Sequence, residues 1–174
     1  MDQPSKLVLE EVDRVEITTL MDNYVDLLLP DTPIVKRPPL SHGKEIPTDT
    51  LVAEHGLSLM ITTYRGSERH SVLFDAGHNE NGVLHNIDRL GIDVESIEAL
   101  ILSHAHMDHT GVLNSIVDRL STPIPLFVHP QIFSFPRCLE QKDGDRVFFP
   151  RTLVKEDIDA SDFTLVESQS PQLI

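Results

Sequence analysis

Four metal-ligand side chains stand within six residues of this chain: His104, His106, Asp108 and His109, in the run His104-Ala105-His106-Met107-Asp108-His109. Imidazole and carboxylate are the donors that zinc and other borderline divalent ions take. His104 and His106 lie two apart, so an extended segment can point both the same way. Asp108 and His109 are adjacent and can address a second position where the chain turns. One short loop can therefore serve two neighbouring ions. From this composition a chance His-x-His-x-Asp-His arises on the order of once in several hundred such chains, which weighs against an incidental polar loop. A divalent ion held there would lower the pKa of water towards neutrality and provide a nucleophile for an ester, amide or phosphoester. Asp108 is then the candidate catalytic group, orienting that water or taking up its proton.

The elements that must position the loop are legible on both sides of it. Residues 99–102, Ala-Leu-Ile-Leu, form an unbroken apolar run, the sign of a strand buried on both faces. Val112, Leu113, Ile116, Val117 and Leu120 have the spacing of one amphipathic helix. The loop thus sits at a strand's carboxyl end, where α/β folds build their sites. Upstream, Val15, Ile17 and Thr19 alternate with polar neighbours, as do Leu57, Leu59 and Ile61, and both read as strands. Arg65-Gly66-Ser67 is turn chemistry, and residues 71–74 return as the second arm of a hairpin. Asp75-Ala76-Gly77 follows at that strand's end. Val83, Leu84, Ile87 and Leu90 have helical spacing, with Gly91 as the stop. Residues 125–128 and 163–166 read as further strands. Between the first two strands, residues 30–50 carry Pro30, Pro33, Pro38, Pro39 and Pro47, a density that forbids a regular helix or central strand. This long loop is either a binding lid or a plain surface excursion. Strands, helix, strand, helix, strand is the order of an α/β class.

Composition bounds the partners. The chain has 174 residues, enough for one domain with a core. Fourteen basic and 28 acidic side chains give a net charge of -14, which repels phosphate backbones and excludes non-specific nucleic-acid binding. A small anionic substrate is not excluded, because a bound ion reverses the local field. Cys138 is the only cysteine, so no intramolecular disulfide forms, which fits a reducing compartment. Residues 1–11 lack the apolar core of a signal peptide and read as a flexible terminus. Leu27-Leu28-Leu29 is far too short to span a bilayer. The reading is a soluble, cytoplasmic protein without a membrane partner.

With its flanks, residues 103–111, the histidine loop resembles the signature of the metallo-β-lactamase superfamily, and Asp75-Ala76-Gly77 resembles that superfamily's earlier Asp-x-Gly element. Further stretches narrow the resemblance. Thr19-Leu20-Met21-Asp22-Asn23, Ala53-Glu54-His55-Gly56-Leu57-Ser58 and Leu73-Phe74-Asp75-Ala76-Gly77 look like the branch labelled dihydropterin-ribofuranosylaminobenzene-phosphate-synthase-like. The likeness spans roughly residues 12–170 and is densest between 53 and 113. It implies that His104 and His106 hold a first ion and Asp108 and His109 a second, most simply zinc, with manganese or iron as alternatives. It implies that Asp75 supports the loop by hydrogen bonding, and that Asn23, Glu54 and His55 line or support the pocket. For His55 a structural role at a strand end is an equal alternative. His78 and His129 lie near expected strand ends, and His42, His70 and His85 read as surface residues.

The resemblance also sets the expected fold, a sandwich of two sheets flanked by helices. In the superfamily the second half supplies a third histidine for the first ion, a bridging aspartate and a last histidine. After the loop this chain has only His129, too early to match that third ligand. The expectation is an amino-terminal half of the sandwich over residues 12–170. Such a half leaves one sheet face uncovered, so self-association or pairing with a carboxyl-terminal half is expected. Three functions stay open: a metal-dependent hydrolase of a small-molecule ester, amide or phosphoester; an inactive metal-binding module; and a pterin-pathway transferase, from which the branch label derives.

Overall fold

The first three strands form an antiparallel meander. β1 (Arg14–Met21) pairs with β2 (Ser58–Arg65), which pairs with β3 (Glu68–Phe74). Gly66 and Ser67 alone join the hairpin, and Gly66 takes the left-handed φ of 58° that so tight a loop demands. The computed structural model describes residues 7–41, 43–158 and 163–174. Residues 1–6 of the expected flexible terminus, and His42, lie outside the described residues. The proline-rich loop carries no helix or regular strand among its described residues.

After β3 the sheet becomes parallel. Helix α1 (Glu80–Leu90) crosses to β4 (Ala99–Ile101), and two short helices, α2 (Met107–Thr110) and α3 (Leu113–Val117), lead to β5 (Ile124–Val128). A small separate hairpin follows, β6 (Cys138–Glu140) with β7 (Arg146–Phe148), and β8 (Phe163–Glu167) adds beside β5. The large sheet therefore runs β1-β2-β3-β4-β5-β8, a mixed sheet with helical crossovers of the α/β class. No helix among the described residues is long and apolar enough to cross a membrane.

Two sequence expectations shift in the folded chain. The helix expected across residues 112–120 is shorter, as α3 over 113–117, and stands apart from α2, which forms within the histidine loop. The backbone amides of Gly111 and Val112 are taken by Gly77 and Ala76 carbonyls, at 2.7 and 3.3 Å, so the chain cannot wind straight through. The second strand starts at Ser58 instead of Leu57, because the Leu57 amide donates to the Asp108 carbonyl at 3.1 Å and is lost to the sheet.

Pleating divides the large sheet into two unequal faces. On one, Met60, Leu73, Leu100 and Leu126 lie in register across four strands and are sealed beneath Val83, Ile87, Val112 and Ile116. On the other, Leu59, Phe74, Ile101, Phe127 and Val166 line up in the same way and stay only half-buried. Ile17 on this second face is 62% exposed. The apolar run 99–102 is thus buried except at Ile101, whose side chain belongs to the uncovered face. Apolar surface left in water forgoes roughly 25 cal/mol per Å², several kcal/mol over a few hundred Å², against a typical domain stability of about 5–15 kcal/mol. The isolated chain should therefore bind the dye ANS and show a mass above the monomer in light scattering. A dye-silent monomer with uniform amide protection over residues 57–128 would mean that this face is closed.

One buried amide sets the entry to the site. Asn86 is 4% exposed; its Nδ2 donates to Leu20 O and Val52 O, at 2.7 and 2.9 Å, and its Oδ1 accepts from Val52 N at 3.0 Å. Helix α1 thereby grips the end of β1 and the segment leading to Glu54 and His55. His85, expected at the surface, is half-buried and bonds Thr50 O at 2.7 Å, fastening the same segment.

Candidate metal centre

The histidine loop is built on Asp75, and Asp75 is built on a strained turn. Its carboxyl side chain is fully buried, and its φ of 58° is the one left-handed value at a non-glycine among the described residues. Aspartate tolerates that region better than most residues, and such strain persists where the surroundings over-determine it. Its backbone amide donates to Ile101 O, at the end of β4, at 2.9 Å. Its Oδ1 accepts from Ser103 N at 2.8 Å, and its Oδ2 accepts from Ser103 Oγ and His109 Nδ1, both at 2.7 Å. Backbone bonds from Ala76 N to His109 O and from Gly77 N to Leu57 O, at 2.8 and 2.9 Å, complete the knot.

These bonds fix which nitrogens face inward. The Ser103 hydroxyl donates its hydrogen to Asp75, so towards His104 it can only accept, and the contact at 2.9 Å places a hydrogen on His104 Nδ1. His104 Nε2 then carries a free lone pair. His109 Nδ1 donates to Asp75, which leaves His109 Nε2 free in the same way. Burial pushes the His104 imidazole below its ordinary pKa, and the neighbouring His109 and His106 push the same way, so it is neutral at pH 7 and ready to donate to an ion.

The inward atoms converge. His104 Nε2 and His106 Nδ1 are 3.1 Å apart, and the rings of His104 and His109 stand 4.1 Å apart. His109 Nε2 is 3.4 Å from Asp108 Oδ2. His106 lies at the N-cap of α2 but makes no capping bond with its side chain, which stays available. Asp108 and His109 ride on the single turn of α2 and come round to the same side as the two earlier histidines.

The three pocket residues named from the sequence separate into two roles. Asn23 Oδ1 lies 3.2 Å from His55 Nδ1, and His55 Nε2 lies 3.3 Å from Asp108 Oδ2, so Asn23, His55 and Asp108 form one chain of contacts. Glu54 instead turns towards α1, where its Oε1 accepts from Asn79 N at 2.9 Å and its carboxyl group packs over Gly82. His129 is spent on a turn, its Nδ1 accepting from Gln131 N at 3.2 Å, and His70 pairs with Glu98 at the surface. One neighbour was invisible in the sequence reading. The ring of Phe149, just past β7, stacks on His106 with centroids 4.3 Å apart and planes 25° from parallel. A Phe148-Phe149 pair in an irregular stretch carries no periodicity, so nothing in the sequence marked Phe149.

In chemistry and convergence these donors fit divalent ions. Among the described residues, however, no group of three or more His, Cys, Asp or Glu side chains is disposed to hold one ion. Four ligands are usual for zinc, more than the described residues bring to one point.

The family model of the metallo-beta-lactamase superfamily matches residues 53–170. The chain is 30% identical over 161 residues to the 7,8-dihydropterin-6-methyl-4-(beta-D-ribofuranosyl)-aminobenzene-5'-phosphate synthase of Methanocaldococcus jannaschii. That match takes in 92% of this chain and 48% of the synthase, so the chain spans about half the length of this curated relative. Among solved structures, the Rm3 metallo-beta-lactamase is 20% identical with a TM-score of 0.43, over 68% of this chain and 41% of that one. The metallo-beta-lactamase fold protein YhfI from Bacillus subtilis is 19% identical with a TM-score of 0.38, over 65% and 38%.

Proposed function

We propose a function on one premise: the chain belongs to the metallo-beta-lactamase superfamily. The reading is a metal-dependent hydrolase of a small-molecule ester, amide or phosphoester. Its metal donors are His104 and His106 for one ion and Asp108 and His109 for a second. Zinc is the first candidate ion, with manganese or iron as alternatives. The observation that carries the reading is the approach of His104 Nε2 to His106 Nδ1 at 3.1 Å, with the outer nitrogens of His104 and His109 already committed to Ser103 and Asp75. A divalent ion bound there would supply Lewis acidity and make water acidic near neutral pH. Asp108 accepts the proton that attack releases, and His55, backed by Asn23, holds the Asp108 carboxylate in place. Asp75 keeps the His109 ring turned inward throughout. In this reading the partner is a small molecule, the net charge of -14 disfavours nucleic acid, and the single exposed Cys138 suits a cytoplasmic setting.

A second reading has its own support: the named relative from Methanocaldococcus jannaschii is an enzyme, a pterin-pathway synthase and not a hydrolase. Parallel assays separate the two. With zinc or manganese added, slow release of nitrophenol from an activated ester or phosphodiester is expected, abolished by Asp108→Asn. Fewer ligands than a full shell should hold the rate well below that of a complete site, since even a lost outer support costs about ten- to a hundredfold. Turnover of a dihydropterin substrate without any ester or phosphoester cleavage would favour the synthase reading and reject the hydrolase.

A further inference from the structure

We propose that Phe149 is a positioning residue for the metal centre, holding the His106 ring from outside by stacking. The inference rests on the metal-binding reading above. Three imidazoles converge there, and two of them have outer hydrogen bonds: His104 Nδ1 with Ser103 Oγ, and His109 Nδ1 with Asp75 Oδ2. His106 has none among the described residues. Its Nδ1 faces inward to His104, and the flat face of Phe149 covers the ring instead. An imidazole without an outer partner can swing about its terminal torsion, which is broad. A ring that must be ordered on binding holds an ion less tightly. The stack supplies for His106 the orientation that hydrogen bonds supply for the other two.

Phe149 can do this because it is itself tied down. Its backbone amide donates to Arg137 O at 3.0 Å, closing the base of the β6–β7 hairpin. The Arg137 guanidinium in turn donates to Ile132 O, in the turn after β5. Three residues on, Thr152 Oγ1 meets Thr110 Oγ1 at 3.0 Å, and Thr110 donates to His106 O at 3.2 Å. Leu153 then enters the core at 7% exposure. The segment from 137 to 152 is therefore anchored to the sheet side before Phe149 and to α2 after it, with His106 between. The rest of the hairpin does not share this work, since Leu139, Val147 and Phe148 are all exposed.

The test uses the full chain and two readouts. In the metal-free protein, carbon–proton correlation of the imidazoles should show a His106 ring signal displaced by the aromatic ring current. Phe149→Leu should return it to the ordinary position, and Phe149→Tyr should keep it displaced. In titrations with cobalt(II) alone, followed by visible absorption, Phe149→Leu should weaken binding roughly two- to twelvefold, the worth of one aromatic pair. Phe149→Tyr should restore it, and both variants should melt with the wild type. Wild-type cobalt affinity in Phe149→Leu, or failure of Phe149→Tyr to restore it, would overturn the proposal while leaving the metal site standing. Absence of cobalt binding by the wild-type chain would instead reject the site itself, and the positioning role with it.

Discussion

Asp75→Ala is expected to destabilise the chain by on the order of 3 kcal/mol and to weaken metal binding by about ten- to a hundredfold. Three donors lose their acceptor at once: Ser103 N, Ser103 Oγ and His109 Nδ1. Ser103 is exposed and can turn to water, which keeps the cost below that of three wholly buried bonds. His109 has no such recourse on the Asp75 side, where the carboxylate was fully buried. Its ring is released, and with it the tautomer that points Nε2 inward. Alanine also tolerates the φ of 58° less well than aspartate. Asp75→Asn separates these effects. It keeps the shape and the backbone tolerance but replaces one acceptor oxygen by an amide nitrogen, so it should fall between wild type and Asp75→Ala in both measurements. Urea unfolding and cobalt(II) titration of the two variants read the stability and affinity arms separately. An Asp75→Ala chain with wild-type stability and affinity would show that the loop is held by other means.

Gly111→Ala should be comparably damaging, against the usual trend. Gly111 has ordinary helical angles, φ -63° and ψ -32°, where alanine normally stabilises by about 0.4–1 kcal/mol. Here a Cβ would stand 2.0 Å from His78 O and 2.5 Å from His78 C. Both are backbone atoms of the residue that follows Asp75-Ala76-Gly77, and Gly77 O itself accepts from Gly111 N at 2.7 Å. Room can come only by moving α2 away from the turn, which carries Asp108 and His109 out of register with His104 and His106. A loss on the order of 3 kcal/mol is expected, with metal binding falling alongside. Gly144→Ala is the control. It has open space around its Cβ and only a left-handed φ of 89°, so it should cost about 1 kcal/mol and leave metal binding intact. A Gly111→Ala variant as stable as wild type would mean that the loop and the turn do not approach so closely.

How far the fold was legible follows from which residues carry repeating patterns. Leu59 and Ile61, Val83 and Ile87, and the run 99–102 mark β2, α1 and β4 by their period, and the sheet order places them as the α/β reading required. The break between α2 and α3 was not legible, because it depends on Gly77 and Ala76 carbonyls claiming amides from a segment more than thirty residues away. The division of the sheet into a sealed and an uncovered face was only half legible. A continuous apolar run says that both faces of a strand are apolar, and it does not say what covers them. In the site, the ligand-type residues were visible because their side-chain types are rare in combination. The Asn23–His55–Asp108 contacts join three separate stretches of sequence, and only the fold brings them together. Phe149 was beyond reach for the same reason, being linked to His106 through a hairpin whose exposed side chains, Leu139, Val147 and Phe148, follow no burial pattern.

The central claim is that the loop from His104 to His109 holds divalent metal, and metal content measured beside cobalt(II) titration tests it most directly. The wild-type chain should take up zinc or cobalt at this loop, weakly, because among the described residues no group of three or more ligand-type side chains is disposed to hold one ion. The double variant His106→Ala with Asp108→Ala removes two of the four proposed ligands and leaves the Asp75 hydrogen bonds to Ser103 and His109 in place, so it should remain folded by circular dichroism and bind no metal. Equal metal content in the wild type and a folded double variant would contradict the account.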